Sequence, residues 1–222
     1  MKYIKFLLLN CFCIVCLLVI TSCGRKLEDI ELYSADDICS YMNKIFYEDF
    51  ELMDHKSIDE TDAKYTIAYL KTANLPDYTI WASQGYYDNY EFGWYERKLT
   101  NYNYYYYKKD IEAKFKKKFS DWFDGVTYKY VNTTSNIWDE AIKYKTFDEY
   151  LKNTYYLEFL IVIQMENENL DDIRIKMTSI KYDLQKENIN ANIYIFTLAD
   201  ISSLSEEDIK NMNRENALVS LR

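Results

Sequence analysis

The chain has 222 residues, 28% of them charged, and a formal net charge of −9. An acidic chain argues against nucleic acid as a partner and against a surface that attracts polyanions as a whole. A content of 18% aromatic residues, including 24 Tyr, argues against disorder, while 4 Gly and 1 Pro are too few for phosphate-cradling loops or strained nucleophile turns.

The N-terminus reads as an address. Lys2 and Lys5 precede an apolar run from Phe6 to Ile20, broken by Asn10 and followed by Ile20-Thr21-Ser22-Cys23-Gly24. The run suits a secretory signal and is short of the ~20 residues of a spanning helix. Small residues leading into a Cys resemble the lipobox of bacterial lipoproteins. In that family the Cys thiol receives a diacylglyceryl group and a peptidase cuts before it. The resemblance implies a signal peptide over 1–22, a lipidated Cys23 with a polar tether over 23–33, and one domain over 34–222. It implies export, with the domain held on a bacterial membrane and facing away from the cytoplasm. Two acyl chains, at ~0.8 kcal/mol per buried methylene, give a stable anchor. An Asp after the Cys, which retains some lipoproteins in the inner membrane, is replaced by Gly24. The mature domain also resembles small lipoproteins of low-GC bacteria, with no diagnostic motif to carry the likeness.

Cleavage would remove Cys11, Cys13 and Cys16 and leave 25 basic against 36 acidic side chains. With Cys23 alkylated, Cys39 alone remains. The mature protein then has no internal disulfide and no Cys-rich metal site, and Cys39 reads as a helix thiol at the edge of an apolar stripe.

Downstream, Ser34 with Asp37 has the spacing of a capping box. Ile38, Met42, Ile45, Phe46, Phe50 and Met53 recur at helical spacing, which predicts a helix ending near His55. Lys64–Ala73 and Tyr78–Ser83 predict a hairpin around Asn74-Leu75-Pro76-Asp77. Tyr86 to Tyr107 predicts one more strand and a long loop. Lys108 to Phe123 is the clearest helix, with Ile111, Phe115, Phe119, Trp122 and Phe123 on one face and Asp124-Gly125 at its end. Val126–Val131 predicts a short strand, and Thr146 with Glu149 opens a short helix to Asn153. Leu160-Ile161-Val162-Ile163 suits a central strand. Asp171–Lys186 predicts a helix, Ile193–Leu198 a buried strand, and Ser205 with Asp208 caps the last helix.

This order predicts an α+β fold: one domain, a mostly antiparallel sheet of about five strands, and helices mainly on one face. The helix–strand alternation of the second half leaves a partly parallel sheet open.

His55 is the single His and sits among Asp54, Lys56 and Ser57, so neither a triad nor a His-rich zinc site is indicated. Acidic pairs such as Asp36-Asp37, Asp139-Glu140, Asp148-Glu149 and Glu206-Glu207 read mostly as helix-start residues that complement the dipole. Asn167 to Asp172 approaches a calcium loop but lacks its Gly. The helix at Lys108–Lys118 carries six lysines against Asp110 and Glu112, a charge suited to anionic headgroups or to acidic neighbours. The Tyr-rich stretch is the best binding candidate, with Trp94, Tyr102, Tyr104 and Tyr106 as ligand-contacting residues; the alternative is packing on a sheet. No cofactor, metal or catalytic residue is indicated. The expected role is a non-catalytic binding or accessory domain at the cell envelope. Its partners are the membrane, through lipid on Cys23, and an envelope protein or glycan. The alternative is a carboxylate-based hydrolase of envelope polysaccharide, which needs two acids facing each other across a cleft.

Overall fold

A computed structural model describes residues 31–89, 93–134, 139–154, 157–165 and 170–221. Cys23 lies outside the described residues. Among them, no helix is long and apolar enough to cross a membrane.

The fold is α+β, as expected, but its strands make two sheets. Helix α1 (Ala35–Phe46) is followed by strands β1 (Phe50–Asp59), β2 (Ala63–Thr72), β3 (Ile80–Asn89) and β4 (Gly93–Thr100). The long helix α2 (Tyr102–Trp122) leads to β5 (Tyr128–Asn132), β6 (Asp139–Glu140), α3 (Phe147–Asn153) and β7 (Leu157–Gln164). Then come α4 (Leu170–Glu187), β8 (Ala191–Leu198), α5 (Glu206–Lys210), a 3-10 turn and β9 (Val219–Leu221). The first sheet is antiparallel in the order β1-β2-β3-β4-β6, and the second has the order β5-β7-β8-β9.

Ser34 caps α1 through a complete capping box with Asp37. Ile38, Met42 and Phe46 are buried on Ala68, Leu70, Ile80 and Ala82 of the first sheet. The expected extension of this helix to His55 is corrected. Tyr47 adopts φ 57°, the left-handed conformation that ends helices, and its N–H donates to Asn43 O at 3.0 Å. Asn43 Oδ1 then accepts from Phe50 N at 2.7 Å and launches β1. His55 therefore lies exposed on an edge strand, not at a helix end.

The second sheet is buried on both faces. Leu157, Phe159, Ile161 and Ile163 of β7 and Ile193 and Ile195 of β8 pack under α2, α3 and α4. Leu160, Val162, Tyr194 and Phe196 pack on the opposite face with Ile209 of α5. Burial on both faces explains the unbroken apolar runs in these strands. β7 and β8 are parallel and joined by the crossover helix α4, so the partly parallel arrangement left open by the alternation is present here. Leu204, before the Ser205 cap, packs in the same cluster as Ile209, as a hydrophobic staple requires.

The segment expected as a strand and long loop is instead two paired strands and the start of α2. Tyr102–Tyr107 is helical and continues the stripe of Ile111, Phe115, Phe119 and Phe123. Tyr102 packs with the first sheet while Tyr104 onward packs with the second, so α2 joins the two cores.

Candidate functional site

The four aromatic residues expected to contact a ligand do not share one surface. Trp94 is half-buried on β4, opposite Asp88. Tyr102 is buried against Phe46, ring centroids 4.3 Å apart, and its hydroxyl donates to Glu48 Oε1. Burial and Glu48 push that phenol well above the usual range. Tyr104 is also buried, and its hydroxyl accepts from Asn132 Nδ2 at 3.2 Å. Burial pushes it up to about 12. Tyr106 is 53% exposed and stacks on Tyr102 at 5.7 Å. The helix explains the scatter: each residue turns the side chain by about 100°, so neighbours in a Tyr run face different layers.

The first sheet instead builds an aromatic face from three strands. Register places Tyr65 beside Gly85 and Arg97, Tyr69 beside Trp81, and Tyr87 beside Tyr95. Directly paired residues point the same way, and so do alternate residues along each strand. All these side chains therefore project from the face opposite Ala68 and Ala82, on which α1 packs. Tyr65 and Tyr87 stack at 5.2 Å, Tyr87 and Tyr95 lie 6.4 Å apart, and Tyr95 is 41% exposed. Sequence reading missed this face because its members are up to 30 residues apart and come together only through register. The one available signal was the Tyr and Trp content of the hairpin strands.

The acids follow a different logic. Asp36 and Asp37, Asp148 and Glu149, and Glu206 and Glu207 lie in first helical turns, as expected. Asp139 does not. It is 3% exposed on β6, where Tyr150 Oη donates to Oδ2 at 3.1 Å and Thr154 Oγ1 to Oδ1 at 3.0 Å. Burial raises its pKa to about 6 against those two hydrogen bonds, which lower it. Its neighbour Glu140 is exposed and pairs with Arg97 at 2.7 Å. Among the described residues no group of three or more His, Cys, Asp or Glu side chains could hold a metal ion. Cys39 is buried, donates to Phe50 O at 3.2 Å, and has its thiol pKa raised by burial and by Asp36.

The lysines of α2 divide into two sets. Lys118 is nearly buried and donates to Asp183 at 2.9 Å and Glu187 at 2.5 Å on α4, while Lys114 pairs with Glu187 at 3.0 Å. Burial opposes charge on all three members of the Lys118 cluster. Their mutual attraction outweighs it, holding Lys118 above and the two carboxylates below their usual ranges. Depressed carboxylates contribute stability above their ordinary pKa, which is lost as pH falls through the folded value. Lys118→Met should therefore lower stability by about 1 kcal/mol at pH 7, a modest figure because both carboxylates stay partly hydrated. The deficit should shrink in thermal melts as pH falls below the ordinary carboxylate range and through the lowered folded values; a deficit independent of pH would assign it to packing of the stem.

The other set lines a groove of about 980 Å³. Lys108, Lys109 and Lys116 of α2 border it on one side and Lys210 of α5 on the other, with Tyr104, Tyr130 and Asn132 between. Against known proteins, no family model, no curated protein and no solved structure matches this chain.

Proposed function

We propose that this protein is a lipid-anchored, outward-facing binding domain of the bacterial cell envelope, without catalysis of its own. Lipid on Cys23 holds it at the membrane, and the Tyr65–Tyr87–Tyr95 face stacks on envelope glycan. The observation that carries the binding part is that this face is partly exposed: Tyr65 and Tyr87 are half-buried and Tyr95 is 41% exposed. Tyr rings offer flat apolar surfaces for sugar rings at low entropic cost. The anchoring part rests on the lipobox-like Ile20-Thr21-Ser22-Cys23.

Two measurements test the reading. Cys23→Ala should move the protein from the membrane pellet to the soluble fraction, with loss of acyl labelling. Tyr65→Ala combined with Tyr95→Ala should reduce binding to purified envelope glycan at least tenfold and leave a cooperative melt. Undiminished glycan binding would reject the face, and crosslinking in cells to one dominant protein would replace glycan with a protein partner. The hydrolase alternative has no observation in its favour. The carboxyl with a raised pKa, Asp139, is sealed in the interior with both oxygens hydrogen-bonded, whereas a working acid must reach its substrate.

A further inference from the structure

We propose that the open edge of β5 receives an extended acidic peptide segment of a partner protein as an added strand. This surface is separate from the aromatic face and does not depend on it.

Among the described residues β5 has one neighbour, β7, and ends the second sheet. Thr133 N donates to Glu158 O, and Gln164 N donates to Thr127 O, both at 2.9 Å, at the two ends of the β5–β7 ladder. In an antiparallel pair such bonds recur at every second residue. Lys129 and Val131 therefore bond inward to β7, and the N–H and C=O of Tyr130 and Asn132 point away from the sheet. Tyr130 and Asn132 both line the groove. Its lining includes residues of α2, which packs on one face of this sheet, and of α5, which packs on the other. A groove lined from both faces passes over the edge between them.

This edge lacks the usual protection. Exposed edges are commonly blunted by charges, bulges, Pro or extreme shortness. β1 carries Asp54, Lys56 and Asp59 and a register shift after Leu52, and β9 is three residues long. β5 has no register shift, and its one charge, Lys129, is turned to Ser202 O at 3.0 Å and Leu204 O at 2.7 Å. The Asn132 side chain is also engaged, by Tyr104 and by Thr134 N.

Charge selects the occupant. Among the described residues Lys109, Lys116 and Lys210 have no ion pair, while Lys114, Lys117 and Lys118 of the same helix are all paired. Glu112 and Glu206 are the acids of the lining. An added strand alternates its side chains between the α2 side and the α5 side, so acids at every second position, turned to the α2 side, meet Lys109 and Lys116. Paired main-chain donors and acceptors along the edge match a peptide, as in strand addition generally, and a glycan cannot match them.

The test uses the full chain in detergent micelles and the synthetic peptide (Glu-Val)4. It should bind, weaken with added salt, and bind at least tenfold less well to the Lys109→Glu, Lys116→Glu variant. The fully N-methylated peptide should not bind, because it cannot donate to Tyr130 or Asn132 carbonyls. Equal binding of the methylated peptide, of (Lys-Val)4, or of dextran sulfate would overturn the proposal.

Discussion

Gly85→Ala should cost about 3 kcal/mol and lower the melting temperature by roughly 10 °C. The cause is contact rather than a forbidden backbone angle. A Cβ at Gly85 would lie 2.3 Å from Tyr65 Cβ and 2.4 Å from both Lys64 O and Tyr65 Cα. Backbone atoms cannot yield as a side-chain tip can, so β2 and β3 would have to separate at the centre of the first sheet. Gly125 gives the contrast. It has φ 74° after α2, with nothing within 4 Å of an added Cβ. Gly125→Ala should therefore cost only the left-handed penalty of about 1 kcal/mol. Chemical denaturation of the two variants separates the effects; equal losses would mean that the strand approach at Gly85 relaxes freely. The aromatic face depends on the same point. Gly85 lies in register beside Tyr65, whose ring stacks on Tyr87 at 5.2 Å, so separating the strands there would disturb that pair.

Stability should rise as pH falls from 7 to about 4, and Asp139 should be the cause. Its folded pKa of about 6 stands above the ordinary 3.8. The folded state therefore binds an extra proton between those values, and stability decreases as pH rises through that window. The rise from 3.8 to about 6 corresponds to roughly 3 kcal/mol at full effect. Asp183, Glu187, Asp200 and Asp208 are shifted the other way and oppose this trend at the acid end. The informative quantity is thus the difference between wild type and Asp139→Asn. Asn stays neutral, and the Tyr150 and Thr154 hydroxyls can each donate or accept, so the variant should gain on wild type as pH rises from 4 to 7. Parallel curves would show that another group controls the window.

Local signals served well where they are self-contained. The Ser34 and Ser205 capping boxes, the Thr146 cap, the Phe115–Phe119 stripe and the β7 and β8 runs all appear as read. Errors arose where a residue type concealed its role. Tyr47 ends α1 in a conformation usually given to Gly, so the stripe appeared to continue through Phe50 to Met53. Tyr102 to Tyr107 looked like a loop because a Tyr run has weak helix preference, yet alternate packing against two cores holds it in α2.

The sequence by itself determined the α+β class and most element positions, because these depend on neighbours within a few residues. Only the tertiary structure decided that the strands divide into two sheets, that Asp139 is sealed between β6 and α3, and that Lys118 is neutralised while Lys109 and Lys116 are not. It also decided which Tyr rings share a face and which strand edge stays open. Those outcomes depend on register and on which layers enclose a residue, and the groups involved lie far apart in the chain, as Lys118 and Glu187 do at 69 residues.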